Sequence, residues 1–136
     1  MNFSSIIENI FDQYKEAWNK RDLHGIMSSF SESALFESTR FEHLANDQEG
    51  IQLRGKESIQ NYYKAFFSSS SYFPIEKIDV SSKDKVVTAR VKAIGTSHYL
   101  KETFRLNEYG KLEYLSIATF KREVPAFSIF NLWKAN

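Results

Sequence analysis

The chain has 136 residues, and its 18 Lys and Arg nearly balance its 17 Asp and Glu, which leaves a formal charge of +1. This length suits one domain around one core, and the lack of a basic run speaks against nucleic acid as a partner. The sequence holds no cysteine, which excludes disulfides, thiol catalysis and thiolate metal sites together.

Membrane attachment is not predicted. No stretch approaches the roughly 20 apolar residues that a membrane-spanning helix needs. The opening residues, MNFSSIIENIF, carry no basic n-region, and Glu8 and Asp12 interrupt the apolar positions there, so the pattern is not that of a signal peptide. We therefore expect a soluble protein in the cytoplasm, with neither a membrane nor a nucleic acid as partner.

Three helices are predicted in the first half of the chain. Ser5 with Glu8 fits a capping box, and apolar residues then recur in steps of three and four as far as Trp18. Asp22 can cap a second, shorter helix. The segment KESIQNYYKAFF, which follows Gly55, carries a third apolar stripe at helical spacing.

One strand is predicted between the second and third helices. In SALFES, residues 33–38, alternation places Ala34, Phe36 and Ser38 on one side of the strand. Residues 40–54 are mostly polar and show no clean period. We expect a long loop or an irregular hairpin there.

After Pro74 the period of the apolar residues is two. The segments IEKIDVS, KVVTARVKAIG, SHYLKETFRLN and KLEYLSIATFKR predict four strands of an antiparallel meander. Helices followed by strands favour an α+β fold, a single domain over residues 1–136 in which a curved antiparallel sheet wraps around the three helices. Residues 123–136 form an apolar carboxy-terminal extension, which we expect to cover a sheet face, a pocket mouth or a neighbouring subunit.

Glu102 is the residue that the pattern singles out for chemistry. Alternation puts it on one side of its strand with His98, Leu100, Phe104 and Leu106, so an acid and an imidazole share an apolar face. An ionised carboxylate is costly to bury, so such a Glu is either paired or protonated with a raised pKa. Two interpretations stay open: a structural acid in a cross-strand salt bridge or on a solvated face, and a neutral acid in a pocket.

Tyr14 lies on the apolar stripe of the first helix, where a tyrosine ordinarily packs its ring and anchors its hydroxyl. If that hydroxyl points into the same cavity as Glu102, a phenol and a protonated acid form an oxyanion hole that stabilises an enolate-like or carbonyl oxygen. A core role and a catalytic role both stay open for Tyr14.

Three stretches together resemble one known superfamily. YKEAWNKRDLHGIMSSFSESALFE, GKESIQNYYKAFF and ETFRLNEYGKLEYL arrive in the order found in the NTF2-like superfamily, in particular in its SnoaL-like and ketosteroid isomerase-like small proteins. The resemblance spans roughly Ser5 to Phe120. It implies a cone-shaped fold, a strongly curved sheet around a long helix with an apolar pocket at the open end, and frequent pairing into homodimers through the sheet.

The resemblance also implies roles for individual residues. In the steroid isomerase branch a tyrosine on the first helix and an acid on a late strand form the oxyanion hole, and Tyr14 and Glu102 match these two. The aspartate that moves the proton has no counterpart, because Ser38 stands at its position and the neighbouring Glu37 faces the other way. A serine hydroxyl cannot take up a proton as a carboxylate does near neutral pH, which speaks against authentic 3-oxosteroid isomerisation.

Histidine offers an alternative base. His98 shares the face of the predicted pocket acid, and imidazole titrates near neutral pH, although a histidine at a strand end also commonly meets solvent. His24 and His43 are expected on the surface. The three histidines are scattered and have no metal-ligand spacing, so we predict no metal and no cofactor.

Around these residues we expect a ligand pocket. Its predicted lining is Trp18, Phe36, Ser38, Arg40, Tyr62, Phe66, Leu100, Phe104, Leu115 and Ile117. Arg40 and Arg54 bracket the loop that would overhang the pocket mouth, where either could hold an acidic substrate group or simply lie at the surface.

Two functional hypotheses follow. The first is a SnoaL-like pocket protein for a small hydrophobic molecule with a carbonyl group, in which Tyr14 and Glu102 donate hydrogen bonds and His98 is the base of an isomerisation, cyclisation or dehydration. The second is a non-catalytic ligand-binding or dimerisation module, favoured by Ser38 and by the apolar extension. An open cavity would favour the first hypothesis, and a cavity filled by Trp18 or by the extension would favour the second.

Overall fold

A computed structural model of the protein describes residues 3–40 and 50–121. The helices are α1 (Phe3–Asn19), α2 (Leu23–Met27) and α3 (Lys56–Phe67). The strands are β1 (Phe30–Arg40), β2 (Ile51–Arg54), β3 (Ile75–Lys83), β4 (Val86–Ala93), β5 (Tyr99–Leu106) and β6 (Leu112–Phe120). The predicted apolar extension and His43 lie outside the described residues.

The strands form one curved sheet in the order β2-β1-β6-β5-β4-β3. β3 to β6 make the predicted antiparallel meander, and the turn between β5 and β6 closes with a hydrogen bond from the Asn107 N–H to the Lys111 carbonyl at 2.8 Å. β1 pairs with β6 in parallel, so the sheet is not antiparallel throughout. Of the two expectations for residues 40–54, the hairpin is correct for Ile51–Arg54, which pair antiparallel with β1.

Side chains at the ends of the helices fix their positions. Asp22 caps α2 as predicted, because its side chain accepts a hydrogen bond at 3.0 Å from the backbone N–H three residues later. Asn19 ties α1 to β3: its amide donates to the carbonyl of Ile75 at 3.0 Å and accepts from the N–H of Ile75 at 2.8 Å. α1 begins at Phe3, two residues before the predicted cap at Ser5.

The core lies between the helices and the inner face of the sheet. The inner positions of β5 are buried as alternation predicted, with Leu100, Glu102, Phe104 and Leu106 between 1% and 6% exposed. On the outer face, Lys101 is only 8% exposed. Since β5 lies between β4 and β6, neighbouring side chains flank Lys101 on both sides, and burial lowers the pKa of its ammonium group.

Candidate functional site

A partly enclosed cavity of about 120 Å³ lies between the helices and the inner face of the sheet. Its wall is aromatic on the helix side and mixes apolar and polar groups on the sheet side. The lining residues are Trp18, Phe36, Ser38, Tyr62, Tyr63, Phe66, Phe73, His98, Leu100, Glu102, Ile117 and Thr119. The described side chains therefore leave a space between the helices and the sheet.

The strand register arranges the sheet wall of the cavity in rows. Glu102 on β5 lies opposite Ile117 on β6, and Ile117 lies opposite Ser38 on β1, so these three residues form one row across the sheet. Leu100 and Thr119 form the next row, about 7 Å further along the strands. The acid and the serine are therefore on the same level of the cavity wall, with an apolar side chain between them.

The row on the other side of Glu102 lies in the closed core. Phe104 and Leu115 are directly opposite each other and are 1% and 0% exposed. They pack beneath the row of Glu102, on the side away from Leu100, and do not line the cavity. Both were predicted to contact a ligand. Edge-to-face ring contacts with Tyr14, at 5.2 Å between centroids, and with Phe11, at 5.8 Å, hold Phe104 in this position.

Glu102 is a buried acid with no salt bridge to any described residue. It is 2% exposed, and its Oε1 has no hydrogen-bond partner within residues 3–40 and 50–121. Burial raises the pKa of its carboxyl from an ordinary 4.5 to about 8, because the charged form is poorly solvated there. Near neutral pH the side chain is therefore a neutral carboxylic acid, which can donate one hydrogen bond through its hydroxyl.

Two tyrosine hydroxyls near Glu102 are hydrogen-bonded to each other. The Tyr14 and Tyr63 hydroxyl oxygens are 2.7 Å apart, and the two residues are 1% and 0% exposed. Burial raises the pKa of both phenols well above the ordinary 10.0, and the Glu102 carboxyl raises both further. Of this pair, Tyr63 lines the cavity and Tyr14 does not, so Tyr14 lies behind Tyr63.

His98 and Ser38 supply further polar groups on the wall. Two hydrogen bonds hold His98 just before β5: its carbonyl accepts from the Ala93 N–H at 3.1 Å, and its N–H donates to Thr96 Oγ1 at 2.9 Å. Ser38 faces inward, whereas Glu37 next to it accepts a hydrogen bond from a tyrosine on the outer face. Neither glutamate of β1, Glu32 or Glu37, is among the residues that line the cavity.

Most of the predicted ligand-binding residues line the cavity. They are Trp18, Phe36, Ser38, Tyr62, Phe66, Leu100 and Ile117. Arg40 ends β1, where its backbone pairs with Thr119, but its side chain lies outside the described part of the chain.

Three lining residues, Tyr63, Phe73 and Thr119, were not predicted to line the pocket. Thr119 could have been found, since it lies two residues after Ile117 and so on the same face of β6. Tyr63 belongs to the apolar stripe of α3, which indicates burial but not contact with a cavity. Phe73 lies in the connection between α3 and β3, where no periodic pattern could point to it.

A wide groove of about 330 Å³ passes between α1 and α2, and the charges in it include an ion pair between Lys20 and Glu16 at 2.7 Å. His24 and Arg54 are exposed. In residues 3–40 and 50–121, no three His, Asp or Glu side chains are grouped so that they could hold a metal ion. None of the helices in these stretches is long and apolar enough to cross a membrane.

Comparison with known families matches residues 11–123 to the SnoaL-like domain. Because the match covers most of the chain, the protein belongs to the SnoaL-like domain family. The resemblance to the NTF2-like superfamily that the sequence suggested is confirmed. No protein with a curated description matches the chain.

Solved structures show the same fold. A SnoaL-like protein of unknown function from Burkholderia thailandensis has a TM-score of 0.69 at 20% identity, over 85% of this chain and 95% of that one. SalBIII is an epoxide hydrolase/cyclase-like enzyme with a role in pyran ring formation in polyether salinomycin. Its TM-score is 0.66 at 17% identity, over 88% of this chain and 95% of that one. A candidate ketosteroid isomerase from Kribbella flavida has a TM-score of 0.66 at 7% identity, over 89% of this chain and 82% of that one. At these identities the likeness establishes the α+β NTF2-like fold alone.

Proposed function

We propose that the protein binds a small, largely apolar molecule with a carbonyl group in this cavity, and that protonated Glu102 donates a hydrogen bond to the carbonyl oxygen. The observation that carries the proposal is the position of Glu102 on the cavity wall, buried and with an oxygen that has no partner among the described residues. An unsatisfied buried polar group costs about 1–3 kcal/mol. A buried acid without a partner lowers local stability, and such departures from stable packing are typical of binding sites.

The rest of the wall suits the same ligand. Trp18 and Phe66 offer flat apolar contacts, and small-molecule cavities commonly combine such contacts with a few placed polar groups. Tyr63 adds a hydroxyl near Glu102, and its hydrogen bond with Tyr14 at 2.7 Å keeps that hydroxyl in place. The ligand would therefore have its polar end at the acid and its apolar body against the helices.

Proton transfer next to the carbonyl is the reaction that this arrangement favours. A base removes a proton from the carbon beside the carbonyl, the electron pair moves onto the carbonyl oxygen, and the hydroxyl of Glu102 stabilises the enolate. The proton then returns from the base to another carbon. His98 is the proposed base, because its imidazole lines the cavity and can accept a proton, whereas Ser38 has no group for this task. Two structural neighbours, the epoxide hydrolase/cyclase-like enzyme SalBIII and the isomerase candidate from Kribbella flavida, are compatible with this class of chemistry.

Binding without turnover is the second candidate function, and Ser38 favours it. The family resemblance places an aspartate base where this chain has Ser38. A site that keeps the hydrogen-bond donor and lacks that carboxylate can hold a carbonyl compound and leave it unchanged.

Cyclohexenone is a suitable probe of binding, followed by the fluorescence of Trp18 in a Trp133→Phe background, since the chain has only two Trp. Glu102→Gln should bind within a few-fold of the unmodified site, because its amide still donates a hydrogen bond. Glu102→Leu should bind at least about tenfold more weakly, since it loses a hydrogen bond of about 1.5 kcal/mol. Unchanged affinity in the Leu variant would contradict the proposal.

Turnover is tested separately by NMR, as exchange of the hydrogens beside the carbonyl in D2O. The catalytic hypothesis predicts exchange above the rate in buffer, and loss of this excess in His98→Gln with binding retained. The binding hypothesis predicts the buffer rate in both proteins.

Homodimer formation and a cytoplasmic location stay predictions, and light scattering of the purified protein tests the first of them.

A further inference from the structure

The cavity beside Glu102 is small. Its volume is about 120 Å³, whereas an apolar protein cavity that holds benzene measures about 150 Å³ and the pockets of drug-sized ligands measure about 300–1,000 Å³. We infer that the part of the ligand beside Glu102 is no larger than a single five- or six-membered ring, and that fused ring systems such as steroids are excluded there. This inference rests on the function proposed above.

The helix side of the wall has little freedom to widen. Trp18 donates a hydrogen bond from Nε1 to the carbonyl of Phe73 at 2.7 Å, and its ring packs against Phe66 at 5.4 Å and Tyr72 at 5.5 Å between centroids. Tyr72 in turn donates its hydroxyl to the carbonyl of Trp18 at 2.6 Å. Displacing Trp18 would disrupt all these contacts together, because closely packed side chains have no adjoining space to move into.

The sheet side of the wall is fixed by strand pairing. Ile117 stands between Glu102 and Ser38 in one row of the sheet, so its side chain limits the width of the cavity beside the acid. Below this row, Phe104 and Leu115 are 1% and 0% exposed, and they leave no second compartment under the acid. Widening the cavity beside Glu102 to admit a fused second ring would therefore displace a paired strand or a packed aromatic side chain.

Three ketones with the same enone group and an increasing number of rings test the inference. They are cyclohexenone, its bicyclic octalone analogue and the steroid androstenedione, each titrated into the full chain and followed by Trp18 fluorescence in the Trp133→Phe background. We expect cyclohexenone to bind at least about tenfold more tightly than the other two, since even one extra methylene in an apolar pocket changes affinity by about 10–200-fold.

A matched pair of variants tests which side chain limits the size. Ile117→Ala enlarges the cavity beside Glu102, and Ile59→Ala makes the same change at a position of α3 that is 0% exposed and does not line the cavity. We expect the affinity for octalone to rise about tenfold or more in Ile117→Ala and to stay unchanged in Ile59→Ala.

The possible outcomes separate the two proposals. If octalone binds the unmodified site as tightly as cyclohexenone does, the size inference is wrong and the proposed function stands. If none of the three ketones binds, the proposed function fails and the size inference fails with it. The titrations of the unmodified site decide between these outcomes even if neither isoleucine variant folds.

Discussion

Two glutamates on opposite faces of the same sheet have opposite surroundings. On the outer face, Glu37 of β1 accepts hydrogen bonds from the Tyr114 hydroxyl at 2.5 Å and from the Gln52 amide at 2.7 Å. On the inner face, Glu102 of β5 is 2% exposed, and its Oε1 has no partner among the described residues. One carboxyl is part of a hydrogen-bonded network, and the other is a buried acid beside a cavity.

The difference shows how the two faces of a sheet give polar groups opposite surroundings. A shift of one residue along a strand reverses the face of a side chain, so Ser38 faces the cavity and Glu37 faces away from it. The inner acid is kept at a cost in stability, because desolvation disfavours its charged form. Residues kept at such a cost are typical of sites selected for binding or catalysis.

The largest expected difference between the two glutamates is in how each affects the pH dependence of the free energy of unfolding. Glu102 has a pKa of about 8 in the folded protein and an ordinary value of 4.5 in the unfolded chain, so between these values only the folded protein holds the proton. The free energy of unfolding should therefore be unaffected below pH 4.5 and fall by roughly 1.4 kcal/mol per pH unit up to about pH 8. Urea denaturation at several pH values should show this decrease in the wild type and not in Glu102→Gln.

Glu37→Gln is the matched control, since it makes the same chemical change on the outer face. Measuring all three proteins in the same buffers cancels the groups that titrate elsewhere in the chain. A decrease that persists unchanged in Glu102→Gln would assign the pH dependence to another group.

A smaller effect should have opposite signs on the two faces. Glu102→Leu replaces a buried acid whose Oε1 has no partner among the described residues, so we expect the free energy of unfolding at pH 8 to rise by about 1–3 kcal/mol. Glu37→Leu leaves the Tyr114 hydroxyl and the Gln52 amide without their acceptor, and we expect a decrease of about 1 kcal/mol. Urea unfolding measures both changes. A loss of stability in Glu102→Leu would mean that the inner acid already has a stabilising partner.

The smallest expected effect concerns the tyrosine pair next to Glu102. Tyr14→Phe and Tyr63→Phe each leave one buried hydroxyl of the 2.7 Å hydrogen bond unpaired, so each should cost about 1–2 kcal/mol. The double variant leaves no unpaired hydroxyl and should cost less than the sum, with a coupling energy of about 1 kcal/mol. Strictly additive costs would mean that the hydroxyls find other partners, Glu102 among them.

The parts of the structure that follow from local periodicity could be predicted from the sequence. Alternation in SHYLKETFRLN placed Glu102 on the buried face of its strand. Asp22 marked the start of α2 through its preference for capping. In both cases the deciding interactions lie within a few residues of each other along the chain.

The parts that could not be predicted depend on contacts between residues distant in sequence. The helical stripes indicated burial for Tyr14 and Tyr63, but the packing of α1 against α3 decides which of them borders the cavity. Alternation predicted correctly that Phe104 lies on the inner face. That Phe104 closes the cavity depends on its ring contacts with Tyr14 and Phe11, which are distant in sequence. The parallel pairing of β1 with β6 joins opposite ends of the domain, which no local period can reveal.

The central claim is that Glu102 is a neutral acid in the folded protein near neutral pH. A ¹³C NMR titration of its side-chain carboxyl, assigned by comparison with Glu102→Gln, measures this directly. We predict a midpoint near pH 8. A midpoint near the ordinary 4.5 would contradict the claim, because Glu102 would then be charged and could not donate a hydrogen bond to a carbonyl oxygen.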